Sequence, residues 1–179
     1  KPTLSGELHE PPLFSTQKAK ENLTRFYHNH INSSKIQPNQ TGAIRHQMTT
    51  RFHELDSYRH VNNAVYFSYF EEARWHSFPY FGFKRDSAWN SRYTVILGSQ
   101  LLNYRSQLGG QEPIYVKTSV VSLSRAATLL HHTLFDKHKR LAADALAQVV
   151  FIEASSGKPA PWVEDLRRSL SDRLVDPPT

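Results

Sequence analysis

One stretch of the chain, residues 62–81, is apolar on nearly every side of the helix that its composition predicts. Its apolar side chains are Ala64, Val65, Tyr66, Phe67, Tyr69, Phe70, Ala73, Trp75 and Phe78. A surface helix normally keeps one polar face, so a helix of this composition is expected to be buried. Pro79 and Gly82 mark its end. The fold must therefore surround one long helix with other elements.

After this helix the sequence changes to a pattern that is typical of β-strands. Three segments rich in β-branched and aromatic residues are separated by turn-forming residues, and they span residues 93–108, 114–123 and 127–135. A fourth segment, 141–154, is ambiguous because its alanines favour a helix whereas residues 149–152, Val-Val-Phe-Ile, favour a strand. Its position after three strands leads us to predict a last strand.

Residues 45–179 are predicted to form one domain, and residues 1–44 an N-terminal extension. The domain should open with a strand over residues 45–54, with Met48, Thr50 and Phe52 on one face, and close with a helix over residues 162–174. The extension has loop-like ends and a possible capped helix from Ser15 to Ile31. A disordered leader is the alternative. Strand, buried helix and several long strands make an α+β fold.

Composition limits the classes of function. The chain has 179 residues, no cysteine and a net charge of +6. Without cysteine there is no disulfide, thiolate zinc site or cysteine nucleophile, which fits a reducing compartment and leads us to predict a cytoplasmic location. Apolar runs fall short of the roughly 20 residues of a membrane span, and no signal-peptide core is visible. The chain begins at Lys1 rather than at methionine, so an upstream part is expected to be missing.

The positive charge has two interpretations. Basic residues are spread along the sequence and do not form the dense patch of a nucleic-acid-binding protein, so we predict no nucleic-acid partner. A generally basic surface is the simpler interpretation. A substrate that carries phosphate groups, such as a coenzyme A thioester, is the other.

The residues that carry chemistry lie just before the helix, where residues 52–74 read FHELDSYRHVNNAVYFSYFEEAR. Asp56 stands ahead of the polar turn 60–63, His-Val-Asn-Asn, and the helix follows at once. A carboxylate is thereby placed beside the free N–H groups and positive dipole of a helix start, where a reacting carbonyl group could be held.

The arrangement Asp-x-x-x-His-Val-Asn-Asn, followed by Tyr66 and by Glu-Ala-Arg at 72–74, resembles the hotdog-fold acyl thioesterases of the 4-hydroxybenzoyl-CoA thioesterase type. The resemblance covers about residues 45–160. It implies an antiparallel sheet wrapped around a central helix. It also implies a homodimer or homotetramer with active sites at subunit interfaces, and a thioester substrate of coenzyme A or of a carrier protein. No cofactor is needed.

The resemblance also assigns candidate residues. Asp56 matches the family's catalytic carboxylate, which acts as a base on water or as a nucleophile. The main-chain N–H of Asn63 matches the group that donates a hydrogen bond to the thioester oxygen. Each has a simpler interpretation, because aspartate and asparagine often only organise turns. His60 could orient water, contact substrate or satisfy buried backbone groups. Val61, Asn62 and Tyr66 are the substrate-binding candidates, although Tyr66 would ordinarily be a core residue.

Two nearby positions depart from related patterns. Plant acyl-carrier-protein thioesterases, which resemble this stretch, carry Asn where Tyr58 stands, and the loss of that Asn favours an Asp-centred scheme. Many relatives have Gly where Arg59 stands, and a side chain there could alter the turn or the mouth of the pocket. Glu72 on the helix matches the catalytic group of another hotdog branch, but Asp56 already fills that role, so Glu72 is read as a helix-stabilising or subunit-bridging charge.

Other chemistries lack support. His131 and His132 are adjacent on a predicted strand, so their side chains point to opposite faces and cannot bind one metal ion. No helical histidine pair with a carboxylate partner occurs, and we predict no metal. Motifs of serine hydrolases, dinucleotide-binding proteins and P-loop proteins are also missing. Two rival functions remain, an enoyl-thioester hydratase or dehydratase that uses Asp56 with His60, and a non-catalytic acyl-CoA binding module.

Overall fold

The computed structural model describes residues 42–83 and 92–175. All of them belong to the compact unit Gln37–Thr179. The predicted extension, residues 1–44, falls almost wholly outside the described residues, and so does its possible helix. No described helix is long and apolar enough to cross a membrane.

The described residues form five strands and two α-helices. In chain order these are β1 (Ile44–Thr49), α1 (Val65–Ser77), β2 (Tyr93–Tyr104), β3 (Pro113–Leu123), β4 (Ala127–Phe135), β5 (Leu141–Glu153) and α2 (Glu164–Ser171). Short 3-10 helices cover Phe52–Glu54 and Phe78–Phe81. The ambiguous fourth segment is a strand, as predicted, and the C-terminal helix is shorter than predicted.

The strands form one antiparallel sheet in the order β1-β3-β4-β5-β2. The middle of the sheet is a meander of consecutive hairpins, β3-β4-β5. The two strands that come first in the sequence occupy its opposite edges. This layout confirms the predicted α+β arrangement of a sheet and a central helix.

The sheet packs one face against α1. Tyr66, Tyr69, Phe70 and Ala73 of the helix share a buried cluster with Ile114, Val116, Leu134, Ala143 and Ala145 of the sheet. Ala142, Ala143 and Ala145 of β5 are fully buried there. Their small side chains suit a strand that lies under a helix with aromatic residues, so packing overrides their preference for helices.

Two details differ from the sequence-based expectations. The first strand ends at Thr49 and not at residue 54, because Thr50 turns away to bond Gly109 and Glu112, and Phe52 is 76% exposed on the following 3-10 helix. The helix is also not buried all round. Phe67 and Trp75 are 43% and 51% exposed, so two of the aromatic side chains of α1 remain about half exposed among the described residues.

Candidate active site

The candidate site is built around a tight turn, residues 56–60, which we call the Asp56 turn. The N–H of Asp56 donates to the carbonyl of His60 at 2.8 Å, and the N–H of Arg59 donates back to the carbonyl of Asp56 at 3.0 Å. Arg59 has a φ of 64°, in the left-handed region that a turn of this kind requires. The backbone at Arg59 therefore has a conformation that glycine adopts more readily than arginine does.

The two carboxylate oxygens of Asp56 differ in what they contact. Oδ1 accepts the N–H groups of Tyr58 at 2.9 Å and His60 at 3.1 Å. Oδ2 has no hydrogen-bond partner among the described residues, and the side chain is half-buried. One oxygen therefore holds the turn, and the other is open to a ligand or to water.

The base of the turn is fixed to the rest of the domain. Leu55 and Val61 form an antiparallel bridge, and the N–H of Val61 donates to the carbonyl of Leu108 at 2.9 Å. The N–H of Asn62 donates to the carbonyl of Glu54 at 2.8 Å. These bonds place Asp56 and His60 next to each other where the chain enters the helix. His60 is half-buried, and the side chain of Val61 is buried in the core cluster.

The start of α1 is organised by Asn62. Its side-chain oxygen accepts the N–H of Ala64 at 2.9 Å, and its carbonyl accepts the N–H of Val65 at 3.0 Å. The N–H of Asn63 has no acceptor among the described residues, and Asn63 is exposed. Tyr104 of β2 donates its hydroxyl to the carbonyl of Asn63 at 2.9 Å. The geometry thus leaves one free main-chain donor at the positive end of the helix dipole.

Tyr66 lies in the core beside this helix start. Its ring meets that of Tyr104 edge to face, with centroids 5.1 Å apart, and its hydroxyl approaches the carbonyl of Ser106 at 3.5 Å. Burial raises the pKa of the Tyr66 phenol above its ordinary value. Tyr66 is thus a core residue by its burial. It also contacts Tyr104, whose hydroxyl bonds the carbonyl of Asn63.

Thr50 and the loop of residues 109–112 were predicted only as part of a strand and as a turn. In the structure they bond to each other, and the loop packs against Leu55, the residue before Asp56. The hydroxyl of Thr50 donates to the carbonyl of Gly109 at 2.8 Å, and the N–H of Gly109 donates to the carboxylate of Glu112 at 2.8 Å. A Cβ on Gly110 would lie 2.7 Å from a methyl group of Leu55. The paired glycines were the available signal, since such pairs often mark a close approach of the backbone.

A buried acid next to the turn also escaped the sequence analysis. The carboxylate of Glu54 accepts the hydroxyl of Tyr69 at 2.6 Å and the N–H of Arg51 at 2.6 Å. Burial, followed by the nearby Glu54, raises the pKa of Tyr69 well above its ordinary range. An acidic residue inside a predicted strand was the one signal in the sequence, because a buried carboxylate requires partners.

A shallow pocket lies between the second half of α1 and strand β2. It is lined by Glu71, Arg74, Trp75, Phe78, Val95, Ile96, Leu97 and Val149. Arg74 is buried, and burial lowers the pKa of its guanidinium group. Its nearest polar atoms are the side-chain oxygen of Gln100 at 3.5 Å and a carboxylate oxygen of Glu71 at 4.0 Å. Side chains of β2 therefore contact both the residues before α1, through Tyr104, and the second half of α1, through Gln100.

The remaining candidates lie elsewhere. Glu72 pairs with His46 of β1 at 3.1 Å and is on the helix face toward that strand. His132 is fully buried, with Nδ1 2.9 Å from the hydroxyl of Thr118 and its ring 5.6 Å from that of Phe70. Within residues 42–83 and 92–175, no three His, Asp or Glu side chains are grouped so that they could hold a metal ion.

Comparisons with a family profile, with curated proteins and with solved structures all find thioesterases. The sequence profile of the thioesterase-like superfamily matches residues 50–170, a range that contains every residue of the site described above. The uncharacterized protein YsmA of Bacillus subtilis (strain 168) is 29% identical over 126 residues, which are 69% of this chain and 82% of that protein. The long-chain acyl-CoA thioesterase FadM of Escherichia coli (strain K12) is 28% identical over 130 residues, which are 72% and 97% of the two chains.

A solved structure shares the architecture. The DHNA-CoA thioesterase of Staphylococcus aureus superposes with a TM-score of 0.68 at 19% identity, and the match covers 75% of this chain and 97% of that chain. The described domain therefore has the hotdog fold that the motif around Asp56 implies.

Proposed function

Because this chain belongs to the thioesterase-like superfamily, we propose that it hydrolyses an acyl thioester at the loop that carries Asp56. The observation that carries the proposal is that one short segment contains two polar groups without a hydrogen-bond partner in the described part of the chain. These are Oδ2 of Asp56 and the N–H of Asn63, neither of which has a partner among the described residues. One is a base and the other is a donor, the two groups that acyl transfer to water requires.

The reaction uses these groups at opposite sides of the carbonyl. Asp56 takes a proton from water, the water oxygen attacks the thioester carbon, and the N–H of Asn63 stabilises the negative charge on the carbonyl oxygen. The carbon–sulfur bond then breaks, and the thiolate takes up a proton to give the free thiol and the free acid. Direct attack by Asp56, giving an anhydride that water cleaves, requires the same two groups. His60, beside Asp56, would orient the water or contact the substrate.

The substrate is proposed to be an acyl-CoA. FadM, one of the similar proteins, is named as a long-chain acyl-CoA thioesterase. This chain has apolar side chains exposed on both elements beside the pocket, Phe67 and Trp75 on α1 and Leu97 on β2. An acyl group that runs from Asn63 towards the pocket beside Trp75 would cover part of this surface. The net charge of +6 suits the phosphate groups of coenzyme A.

The protein is further proposed to be a homodimer, or a pair of such dimers. Strand β2 has a neighbour, β5, on one side, and no described strand pairs with its other side. Ile96, Leu97 and Leu101 are exposed along it. An edge strand that is long and apolar pairs readily with another strand. A second copy pairing along β2 would bury this edge, and Leu101→Lys should then shift the sedimentation coefficient from that of the oligomer towards that of the monomer.

The test of the function is release of free thiol from a panel of acyl-CoAs with short, long and aromatic acyl groups. Asp56→Asn is measured beside the parent, because Asn preserves the oxygen that holds the turn. Turnover by the parent that falls about a hundredfold or more in the folded variant would support the proposal. Equal turnover by both would overturn the role of Asp56, and hydration of crotonyl-CoA without thiol release would identify a hydratase instead.

The oxyanion donor can be tested by removing one N–H group. Asn63 follows Asn62 at the first central position of a turn closed by the N–H of Val65, a position that proline favours. Asn63→Pro deletes the main-chain donor, and Asn63→Ala keeps it. A fall in kcat of about a hundredfold in the proline variant alone is expected. Equal kcat in the two variants would show that this N–H is not the donor.

A further inference from the structure

Glu54 connects three parts of the candidate site through four polar contacts. Its carboxylate accepts the hydroxyl of Tyr69 on α1 and the N–H of Arg51, the residue before the 3-10 helix Phe52–Glu54, each at 2.6 Å. Its main-chain carbonyl accepts the N–H of Asn62 at 2.8 Å. The side chain is buried, and the guanidinium group of Arg51 lies 3.7 Å from its other carboxylate oxygen.

These contacts fix the chain on both sides of the Asp56 turn. Glu54 precedes Asp56 by two residues, and Leu55 between them is bridged to Val61. Asn62, which Glu54 holds through its carbonyl, immediately precedes the proposed donor Asn63. The bond to Tyr69 fastens this whole segment to the middle of the helix, whose buried face Tyr69 shares with Phe70. Among the described residues, the bond between Glu54 and Tyr69 is the one contact of a carboxylate that links α1 to residues 54–62.

The acid and the phenol also depend on each other. A buried carboxylate is costly unless it is hydrogen-bonded, and Tyr69 supplies one of its bonds from within the core. The hydroxyl of Tyr69 donates only to Glu54 among the described residues. Removing either group breaks this bond, and the side-chain link between the 3-10 helix Phe52–Glu54 and α1 is then lost.

We propose that Glu54 and Tyr69 are positioning residues that hold Asp56 at the working distance from the Asn63 N–H. The proposal rests on the proposed thioester hydrolysis. Both side chains are buried and bond to each other, so in this proposal they act on the reaction through the segment that they hold. Their loss should therefore lower kcat more than it raises KM, since a small displacement of a reacting group is enough to slow the chemical step strongly.

The experiment compares Tyr69→Phe and Glu54→Gln, singly and together, with the parent. Each folded single variant should lose about tenfold in kcat with KM within about twofold, and the double variant should lose no more than the worse single one. Hydrogen exchange is measured on the same proteins. The amides of Tyr58 and His60, which bond Oδ1 of Asp56, should exchange faster in each variant.

A matched control is Tyr115→Phe, which removes a phenol hydroxyl from β3 on a side chain that stacks with Phe135. It should leave kcat and the exchange of Tyr58 and His60 unchanged. Faster exchange together with lower kcat supports the proposal, and either change without the other overturns it, as do additive losses in the double variant. If the parent turns over no acyl-CoA, the proposed hydrolysis fails, and the exchange of Tyr58 and His60 alone then decides whether the pair positions the turn.

Discussion

The Asp56 turn has a near copy elsewhere in the molecule, the turn of residues 136–140 between β4 and β5, which we call the Asp136 turn. In both, the N–H of the aspartate donates to the carbonyl of the fifth residue, at 2.8 and 3.0 Å, and the fourth N–H donates back, at 3.0 and 2.9 Å. In both, Oδ1 accepts the third and fifth N–H groups. The fourth residues, Arg59 and Lys139, have φ angles of 64° and 63°.

The two turns differ at the second carboxylate oxygen. In the Asp136 turn the fifth residue is Arg140, whose Nε donates to Oδ2 at 2.7 Å, and the aspartate is buried. In the Asp56 turn the fifth residue is His60, and Oδ2 has no partner among the described residues. The backbone geometry requires only one oxygen, so the structural role of Asp56 and its proposed chemical role do not compete. The Asp136 turn therefore serves as an internal control.

The largest expected difference is in activity, when each aspartate is replaced by asparagine. Asp56→Asn should lower kcat about a hundredfold or more, because the amide keeps the turn but is not a base. Asp136→Asn should keep kcat and lower the free energy of unfolding by about 1 kcal/mol, since the exposed Arg140 loses its carboxylate. Thiol release and urea unfolding measure the two effects. Loss of activity in both variants would show that the turns matter only as structure.

The difference between the turns can be reduced by changing the fifth residue. His60→Arg should let a guanidinium group bind Oδ2 of Asp56, as Arg140 does in the other turn, and lower kcat by about tenfold because the base becomes occupied. His60→Gln removes the imidazole, and with it the proposed contact to water or substrate, without adding a charge, so kcat of His60→Arg is compared with kcat of His60→Gln. Equal kcat values would show that occupation of Oδ2 does not lower activity.

A smaller effect is expected in the acid dependence of stability. Burial would raise the pKa of Asp136, but the hydrogen bonds from Arg140 and His138 outweigh it and hold the pKa below the ordinary 3.8. A carboxyl whose pKa is lowered on folding stabilises the protein above its unfolded pKa, and this stability is lost as the pH falls through the folded value. The stability difference between parent and Asp136→Asn should thus be constant at neutral pH and shrink below about pH 4. A difference that stays constant down to the lowest pH at which both fold would contradict this.

The smallest effects are expected at the left-handed residues. Arg59→Gly and Lys139→Gly should each change the free energy of unfolding by less than about 1 kcal/mol, with a small net gain, because relief of the strained φ slightly exceeds the entropic cost of glycine. Ser57→Gly, at a position without a positive φ, should destabilise instead. Urea unfolding of the three variants tests this, and a loss of stability in all three would show that the turns carry no such strain.

The fold was predictable where the sequence pattern is local. Strands β3 and β4 begin and end within a residue of the predicted bounds, because turn residues mark their ends. The prediction failed at residues 50–54, where Thr50 bonds residues of the distant loop 109–112 and diverts the chain from a strand. It also failed at Phe67 and Trp75, since composition shows that a helix is apolar but not which face the rest of the domain reaches.

The candidate site was also predictable only where its residues are close together in the sequence. The motif placed Asp56, His60 and the helix start in one segment, and the structure brings them together there. The pairing of Glu54 with Tyr69 could not be found, since it joins residues whose distance depends on how the 3-10 helix packs on α1. Nor could the sequence distinguish the two oxygens of Asp56, because that difference depends on the residue four positions later.

The order of strands in the sheet has a consequence for how the protein folds. The hairpins β3-β4 and β4-β5 join neighbours in the sequence, whereas β1 pairs with β3 and β2 pairs with β5 across long intervening segments. Contacts between distant residues must offset a larger loop entropy, so they tend to form later. The Asp56 turn lies between β1 and α1 and rests on the loop before β3, within the part closed by such contacts. During refolding, the return of catalysis should therefore lag behind the protection of the β3-β4-β5 amides.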